Sequence, residues 1–550
     1  MSDTLLDRKL RGAFFTPPEI CKYIAEWAVR SGDDRVLEPS CGEAGFLIEA
    51  GKQLRSCGAT DLFLNGQLHG VEIHRSSARS SEIALREQGC EPTIRVGNFF
   101  DSKPAPSFDA VIGNPPYIRY QQHSGTSRAK SLEAALAEGV RLNGLASSWA
   151  AFTVHSTRFL KPGGRLGLVL PAELLSVNYA APVRRFLLQR FSRVRLVMFE
   201  SLVFPGALEE VVLLLAEGSG GADCFEVYQA RDLAALPLAR TADWKEHRPE
   251  QGAKWTSALL TPALFDSYKN LSDSEDFETL SDWGETYLGA VTGNNDFFSL
   301  SKSEVSTLGL SEDELVPISP PGSRHLRGHR FTSAAWVRMA TEDAKCMLFY
   351  PKERPSAAAK RYIAEGENNA VHEAYKCSVR SPWWQVPLVQ TPDIFLTYMN
   401  HDRPRLVAND SNVSILNSLY GVVLKHGRKG LGKELLPIAC LNSLTLLGAE
   451  IVGRAYGGGL LKLEPREADR LPVPSKDLLQ NCADDLKALA PQLAPALRQG
   501  NLSAAVAMVD KIILSDFMRI SAANLAELRE AREAFFSRRR ARGKSNRGEG

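Results

Sequence analysis

The run Asp109-Ala110-Val111-Ile112-Gly113-Asn114-Pro115-Pro116-Tyr117-Ile118 decides how the chain is read. Val111 and Ile112 run into a glycine, the pattern of a short buried strand. Asn-Pro-Pro-Tyr cannot continue a strand ladder. Pro115 and Pro116 lack amide donors and have fixed φ, so the backbone leaves the sheet edge in one stiff conformation. That stiffness lets the carboxamide of Asn114, the carbonyl of Pro115 and the ring of Tyr117 face one point. Two acceptors and one aromatic face suit a planar ring carrying an exocyclic amino group. The tetrapeptide alone also reads as a proline-rich turn that ends a strand, so its neighbours must decide.

Upstream, Gly12-Ala13-Phe14-Phe15-Thr16-Pro17-Pro18-Glu19 precedes Ile20, Tyr23, Ile24, Trp27 and Ala28, apolar residues at helical intervals. Thr16 is expected as the N-cap, with Glu19 completing a capping-box spacing. Residues 35–50, Arg-Val-Leu-Glu-Pro-Ser-Cys-Gly-Glu-Ala-Gly-Phe-Leu-Ile-Glu-Ala, read as strand, glycine-bearing loop and helix. Gly42 and Gly45 let the backbone approach a ligand at the carboxyl end of the first strand. The G-x-G-x-x-G of a dinucleotide site is absent. Instead Glu38 leaves the strand, placed to meet an ammonium group. Gly70-Val-Glu-Ile73 ends a second strand in Glu72, suited to ribose hydroxyls. Ile94-Arg-Val-Gly-Asn-Phe-Phe-Asp101 fits a third strand and its loop.

The order acid-Pro-x-x-Gly, Val-Glu, Gly-Asn-Phe and Asn-Pro-Pro-Tyr, each closing an expected strand, is far more specific than any one motif. It resembles the class I S-adenosylmethionine-dependent DNA adenine-N6 methyltransferases of the γ arrangement, over roughly residues 12–217. The resemblance implies a Rossmann-like α/β domain with a seven-stranded mixed sheet, and S-adenosyl-L-methionine as cofactor. It assigns catalysis to Asn114, Pro115, Pro116 and Tyr117. Cofactor contacts fall on Thr16, Glu38, Cys41, Gly42, Glu72, Ile73, Asn98, Phe99, Asn114 and Pro116. The family usually has Asp where Asn98 stands; an Asn oxygen can still accept from an adenine amino group, and Asp101 is the competing candidate. Lys161-Pro-Gly-Gly164 matches the family's turn into its fifth strand. Arg193–Phe199 and Glu210–Ala216 match the last two strands. Between them Phe204, before Pro205, is implied as a clamp on the target base opposite Tyr117.

The remainder of the chain divides by composition. Polar residues 121–150 suggest either a substrate-touching loop or a solvated insertion. Gly-Ser-Gly-Gly at 218–221 marks a boundary, so the expected division is a catalytic domain over 1–217, a connecting region over 218–276, a mixed α/β target-recognition region over 277–475 and a helical segment with a basic tail over 476–550. In 277–475, basic and aromatic groups cluster, and Arg324, Arg327, Arg330, Trp383 and Trp384 are the candidate DNA contacts. His325 and His329, four apart among these arginines, read as part of a basic face rather than a metal site. Tyr456-Gly-Gly-Gly459 offers close backbone approach to DNA. Arg538-Arg-Arg-Ala-Arg-Gly-Lys-Ser-Asn-Arg547 reads as a disordered tail adding phosphate attraction.

Composition bounds the partners. The 550 residues, 44% hydrophobic and 24% charged, are too many for one core. No run approaches the roughly 20 apolar residues of a membrane span, and no signal-like segment opens the chain. Nine cysteines lack any C-x-x-C pair, which argues against zinc and disulfides and for the cytoplasm. A net charge of +2 leaves DNA attraction to local patches. No Pro-Asp…Asp/Glu-x-Lys nuclease pattern accompanies these motifs, so cleavage would fall to a separate restriction endonuclease or defence-system subunit. Double-stranded DNA is the expected substrate, with the adenine flipped out of the stack. Cytosine-N4 methylation uses the same geometry, although those enzymes more often carry Ser or Asp before Pro-Pro. RNA and protein-glutamine methyltransferases share Asn-Pro-Pro-Tyr-Ile, so Gly113–Ile118 alone leaves them open.

Overall fold

The computed structural model describes residues 16–60, 66–118, 122, 125–200, 203–204, 210–249, 253–352, 354–456 and 459–544, the side chains of 262 and 541–544 excepted. The basic start with Gly12-Ala13-Phe14-Phe15, the Pro205-Gly206 step, Gly457-Gly458 and the 545–547 end of the tail lie outside the described residues. The chain forms two compact units, Met1–Pro262 with Lys544–Gly550, and Ala263–Gly543.

The first unit is built on a nine-stranded sheet of order β3-β2-β1-β4-β5-β7-β6-β8-β9. The strands are β1 (Val36–Glu38), β2 (Leu68–Glu72), β3 (Thr93–Val96), β4 (Phe108–Gly113), β5 (Leu160–Pro171), β6 (Arg193–Phe199), β7 (Val211–Glu217), β8 (Phe225–Ala230) and β9 (Lys245–His247). β1 to β5 pair in parallel. β7 slots antiparallel between β5 and β6. The central strands are apolar because both faces are covered: Val36, Ala110, Val111, Ile112 and Val212 to Leu214 are fully buried.

Helix α1 (Pro18–Ala28) packs Ile20, Ile24 and Ala28 on one face of the sheet, and α2 (Gly45–Ser56) adds Leu47, Ala50 and Leu54. On the other face, α3 (Ser148–Ser156) buries Trp149, Ala150 and Val154. The cap of α1 differs from expectation. The helix begins one residue later than the capping-box spacing implies, with Pro17 as N-cap and no side-chain cap bond. Thr16 therefore lies outside the helix and its hydroxyl serves elsewhere.

Three further stretches differ. The polar stretch after Tyr117 contains a helix, Gly125–Leu136, with Ser131, Ala134 and Ala135 buried. Lys161–Gly164 is a bulge within β5 rather than a turn before it: Phe108 pairs with Leu160, and Ala110 with Arg165. The expected connecting region extends the sheet instead, since β8 pairs in parallel with β6 and β9 closes the edge. Alternating burial of Phe225 and Val227 on β8 is a strand signature that the neighbouring glycines obscured.

The second unit contains a five-stranded sheet of Gly284–Leu288, Tyr420–Leu424, Ile394–Leu396, Leu406–Asn409 and Arg330–Phe331, in that order. A helical segment follows, ending in Ala522–Lys544. Leu528, Ala531, Phe535 and Arg539 are buried along one face of that last helix. Arg539 is 2% exposed, pairs with Glu450 at 2.8 Å and donates to the carbonyls of His401 and Gly459. The basic run thus begins as a docked helix, not a free tail. A Cβ at Gly459 would lie 2.8 Å from the Arg539 carbonyl oxygen, so this glycine is needed where the helix backbone crosses it.

Candidate active site

The carboxyl ends of β1, β2 and β4 lie side by side because these strands pair in parallel, and the loops leaving them meet there. Glu38, the last residue of β1, is 3% exposed. Burial pushes its carboxyl well above the usual carboxylate range; a backbone bond from Leu47 opposes this and nearby Glu72 adds to it. Among the described residues its Oε2 has no hydrogen-bond partner. A buried acceptor without a donor is costly unless a ligand completes it. Gly113, at a φ of 152°, approaches Glu38 so closely that a Cβ would lie 3.3 Å from the Glu38 Cγ.

Glu72 ends β2 and accepts from the amides of Gly42 and His74, both at 2.9 Å. It thereby ties the loop after β1 to its own, and each oxygen retains acceptor capacity. Ile73 beside it is 59% exposed, an apolar face next to an acid. Above Gly42 a Cβ would meet nothing within 4 Å. Cys41 turns its buried thiol toward Ser81, and its amide donates to Val71. Phe99 is likewise turned inward, 2% exposed and packed on Phe152, His155 and Phe159. Asn98 accepts from the Phe100 amide at 3.0 Å, capping a short turn. Asp101 pairs with Lys130 at 2.6 Å, a partner that competes with any ligand role.

The loop after β4 is held by hydroxyl groups. Asn114 Nδ2 donates to Thr16 Oγ1 at 3.1 Å, so the carboxamide oxygen is the end turned from Thr16. Ser40 Oγ donates to the Asn114 carbonyl at 3.1 Å. Tyr117 sends its hydroxyl to the Val169 carbonyl at 3.0 Å, leaving its ring half-buried. Phe204 is 6% exposed in the apolar cluster against which Tyr117 also packs. No sequence signal marks Ser40 or Ser148: Ser40 lies inside the glycine loop, and Ser148 has the setting of an ordinary helix residue.

In the second unit, Arg324 and Arg327 are exposed on either side of the buried Leu326. Arg330 is exposed but pairs with Asp410 at 2.6 Å. Trp383 and Trp384 are only partly buried, yet both pack against the unit's apolar core, and Trp383 donates to Glu367. The histidines do not join a basic face. His325 bonds Ser319 at 2.8 Å, and burial lowers its pKa to about 4; His329 is lowered by burial too. Among the described residues no cluster could hold a metal ion.

The family description N-6 DNA Methylase matches residues 5–215, and the description Type II methyltransferase M.Eco57I, C-terminal domain, matches residues 252–514. The chain is of the N6-adenine DNA methyltransferase class. This methyltransferase is 22% identical over 494 residues to the Type II methyltransferase M.AccI of Acinetobacter calcoaceticus, covering 88% of this chain and 89% of that one. It is 24% identical to the Type II methyltransferase M.XamI of Xanthomonas campestris pv. amaranthicola, over 85% and 86% of the two chains. A solved DrdV–DNA complex shares the fold, with a TM-score of 0.50 at 12% identity over 88% of this chain and 58% of that one.

The enzyme methylates adenine N6 in DNA with S-adenosylmethionine as methyl donor. Its residues suit that cofactor. The partnerless, buried Glu38 oxygen fits an ammonium, and exposed Ile73 beside Glu72 fits a nucleoside. Among the described residues no single helix is long and apolar enough to cross a membrane.

Proposed function

We propose that the Asn114–Tyr117 loop is the catalytic centre acting on an adenine flipped out of double-stranded DNA. The observation that carries this reading is the Asn114 carboxamide, oriented by Thr16 at the end of β4 and one residue from the Gly113–Glu38 contact. The N6 lone pair is delocalised into the adenine ring, so the nitrogen is a poor nucleophile. Asn114 Oδ1 and the Pro115 carbonyl accept the two N6 hydrogens, drawing the nitrogen toward a tetrahedral arrangement and freeing its lone pair. The two carbonyls flanking Pro115 in the loop are already engaged by Ser40 and Ser148, whereas among the described residues none donates to the Pro115 carbonyl; this supports its assignment as second acceptor. Tyr117 offers its ring to the base, and Phe204 is the candidate for the opposite face.

When bound, S-adenosylmethionine supplies an electrophilic sulfonium methyl group. Glu38 holds its ammonium, Glu72 its ribose hydroxyls and Ile73 its adenine face. Thr16, Asn98, Pro116 and the backbone of Cys41, Gly42 and Phe99 complete the cradle. Residues 277–475 recognise the DNA site, with Arg324 and Arg327 neutralising phosphates; the packed tryptophans and the paired Arg330 are the weaker candidates. All nine cysteines are free, which supports a reducing cytoplasm. By analogy with its Type II relatives, the protein works in a restriction-modification or related defence system beside a separate endonuclease.

Methylation-sensitive long-read sequencing of DNA from cells expressing this chain tests the reading. N6-methyladenine at one short motif, absent with Asn114→Ala, is the expected result. Methylation persisting in that variant overturns the assignment.

A further inference from the structure

The two prolines that stiffen the catalytic loop also remove its donors. Residues 115 and 116 have no N–H, so the loop can be pinned there only through its carbonyls, by donors brought from elsewhere. Ser148 is the donor on the far side. It is the first residue of α3 and 1% exposed. Its Oγ donates to the Pro116 carbonyl and accepts from the Ile118 amide at 2.9 Å. Its own amide donates to the Ile118 carbonyl at 3.0 Å. One side chain thus uses its single proton and a lone pair to bracket Tyr117 on both sides, while its backbone adds a third bond to the same stretch.

Opposite it, Ser40 Oγ holds the Asn114 carbonyl. Pro115 stands between the carbonyls held by the two hydroxyls, Tyr117 stands between the two bonds of the Ser148 hydroxyl, and α3 is anchored by Trp149, which is fully buried and donates to Tyr179 at 3.1 Å. We infer that Ser148 is a positioning residue of the methyl transfer, fixing the Pro115 carbonyl and the Tyr117 ring against the target base by clamping the peptide units on either side of Tyr117. The inference rests on the catalytic reading of Asn114–Tyr117. The clamp acts after binding: Ser148 contacts the loop backbone, the Pro116 carbonyl included, and neither Glu38 nor Glu72, so its loss loosens the loop while the cradle around those two acids stays intact. A small misplacement of reacting groups is expensive, on the order of 100-fold per ångström.

The test compares Ser148→Ala, Ser148→Thr and Asn114→Ala in full-length enzyme, with single-turnover rates, cofactor and DNA dissociation constants, and thermal midpoints. Ser148→Ala should lose roughly 10- to 100-fold in rate, with both dissociation constants within threefold and an unchanged midpoint. Ser148→Thr, which keeps the hydroxyl, should recover most of the rate. A Ser148→Ala rate within twofold of the parent, or a loss matched by weaker cofactor binding or a lowered midpoint, overturns the inference. Should the threonine variant fold but stay as slow as alanine, the hydroxyl is not the clamp. If Asn114→Ala keeps its activity, the catalytic reading itself has failed, whatever Ser148 does.

Discussion

Asn114 and Thr16, 98 residues apart, share a 3.1 Å hydrogen bond in which the carboxamide nitrogen donates to the threonine hydroxyl. This bond fixes which end of the amide is turned from Thr16. Thr16→Val keeps the shape and removes the acceptor, at the cost of about one hydrogen bond, ~1.4 kcal/mol or tenfold in rate. In an Asn114→Ala background the same change should add less than twofold, because the partner is gone. Rapid-quench methylation assays on the four proteins give the coupling; independent losses would show that Thr16 acts by another route.

Asn114→Ala itself should reduce single-turnover methylation by about 1000-fold or more, since both positioning and electrostatic effects are lost. Cofactor affinity should change less than threefold, because Glu38 and Glu72 remain. Titration calorimetry with cofactor checks the second half, and a large loss of affinity would place Asn114 in the cofactor site instead.

With Glu38 as the proposed ammonium ligand, cofactor binding is expected to be sensitive to pH. Burial raises the Glu38 carboxyl well above the ordinary 4.5, against a backbone bond from Leu47. Between those two values the folded, cofactor-free protein holds a proton that the unfolded chain has released, so its stability falls as pH rises through the window. An ammonium partner requires the carboxylate. Cofactor binding should therefore expel a proton in that window, and affinity should rise with pH above the ordinary carboxylate value. Calorimetry in buffers of different ionisation enthalpy reads the proton directly. Glu38→Gln should abolish it, and a buffer-independent enthalpy in the parent would contradict the assignment.

Ala44 sits at a φ of 62° as the N-cap of α2, a left-handed conformation that costs a residue with a Cβ about 1–2 kcal/mol. Ala44→Gly relieves this and loses part of the gain to a more flexible unfolded chain, leaving about 0.5–1 kcal/mol of stabilisation. Urea denaturation should show a higher midpoint with an unchanged slope.

Removing Arg539 takes from Glu450, itself 6% exposed, its hydrogen-bonded counter-charge and leaves it only the Coulombic attraction of Arg532. Arg539→Ala should destabilise the second unit by about 3–5 kcal/mol, measured by denaturant unfolding. An effect below about 0.5 kcal/mol, as for exposed substitutions, would mean that the helix does not dock.

Residue type does not reveal the direction in which a side chain points. Thr16 has the right spacing for a cap, but a shift of one residue in the helix start turned its hydroxyl to Asn114. Trp383 has the chemistry of a base-stacking side chain, yet it packs on Phe297 and Phe298. In the last helix the stripe Leu528, Ala531, Phe535 and Arg539 already had the spacing of a buried face; the surrounding arginines masked it. His325 lies among arginines in sequence and beside Ser319 and Phe331 in space.

What the sequence determined by itself was local and ordinal: a buried strand broken by Pro-Pro, acids closing the first two strands, and the order of these motifs along the chain. Backbone stiffness, strand periodicity and the absence of a dinucleotide glycine pattern follow from neighbouring residues alone. The tertiary structure decided which end of Asn114 is turned from Thr16, that one oxygen of the buried Glu38 has no hydrogen-bond partner among the described residues, and that Ser40 and Ser148 close on the Asn114–Ile118 loop. These depend on partners 30 to 98 residues away. Parallel register brings the ends of β1, β2 and β4 to one edge, and no short-range pattern encodes which hydroxyl will arrive beside which carbonyl.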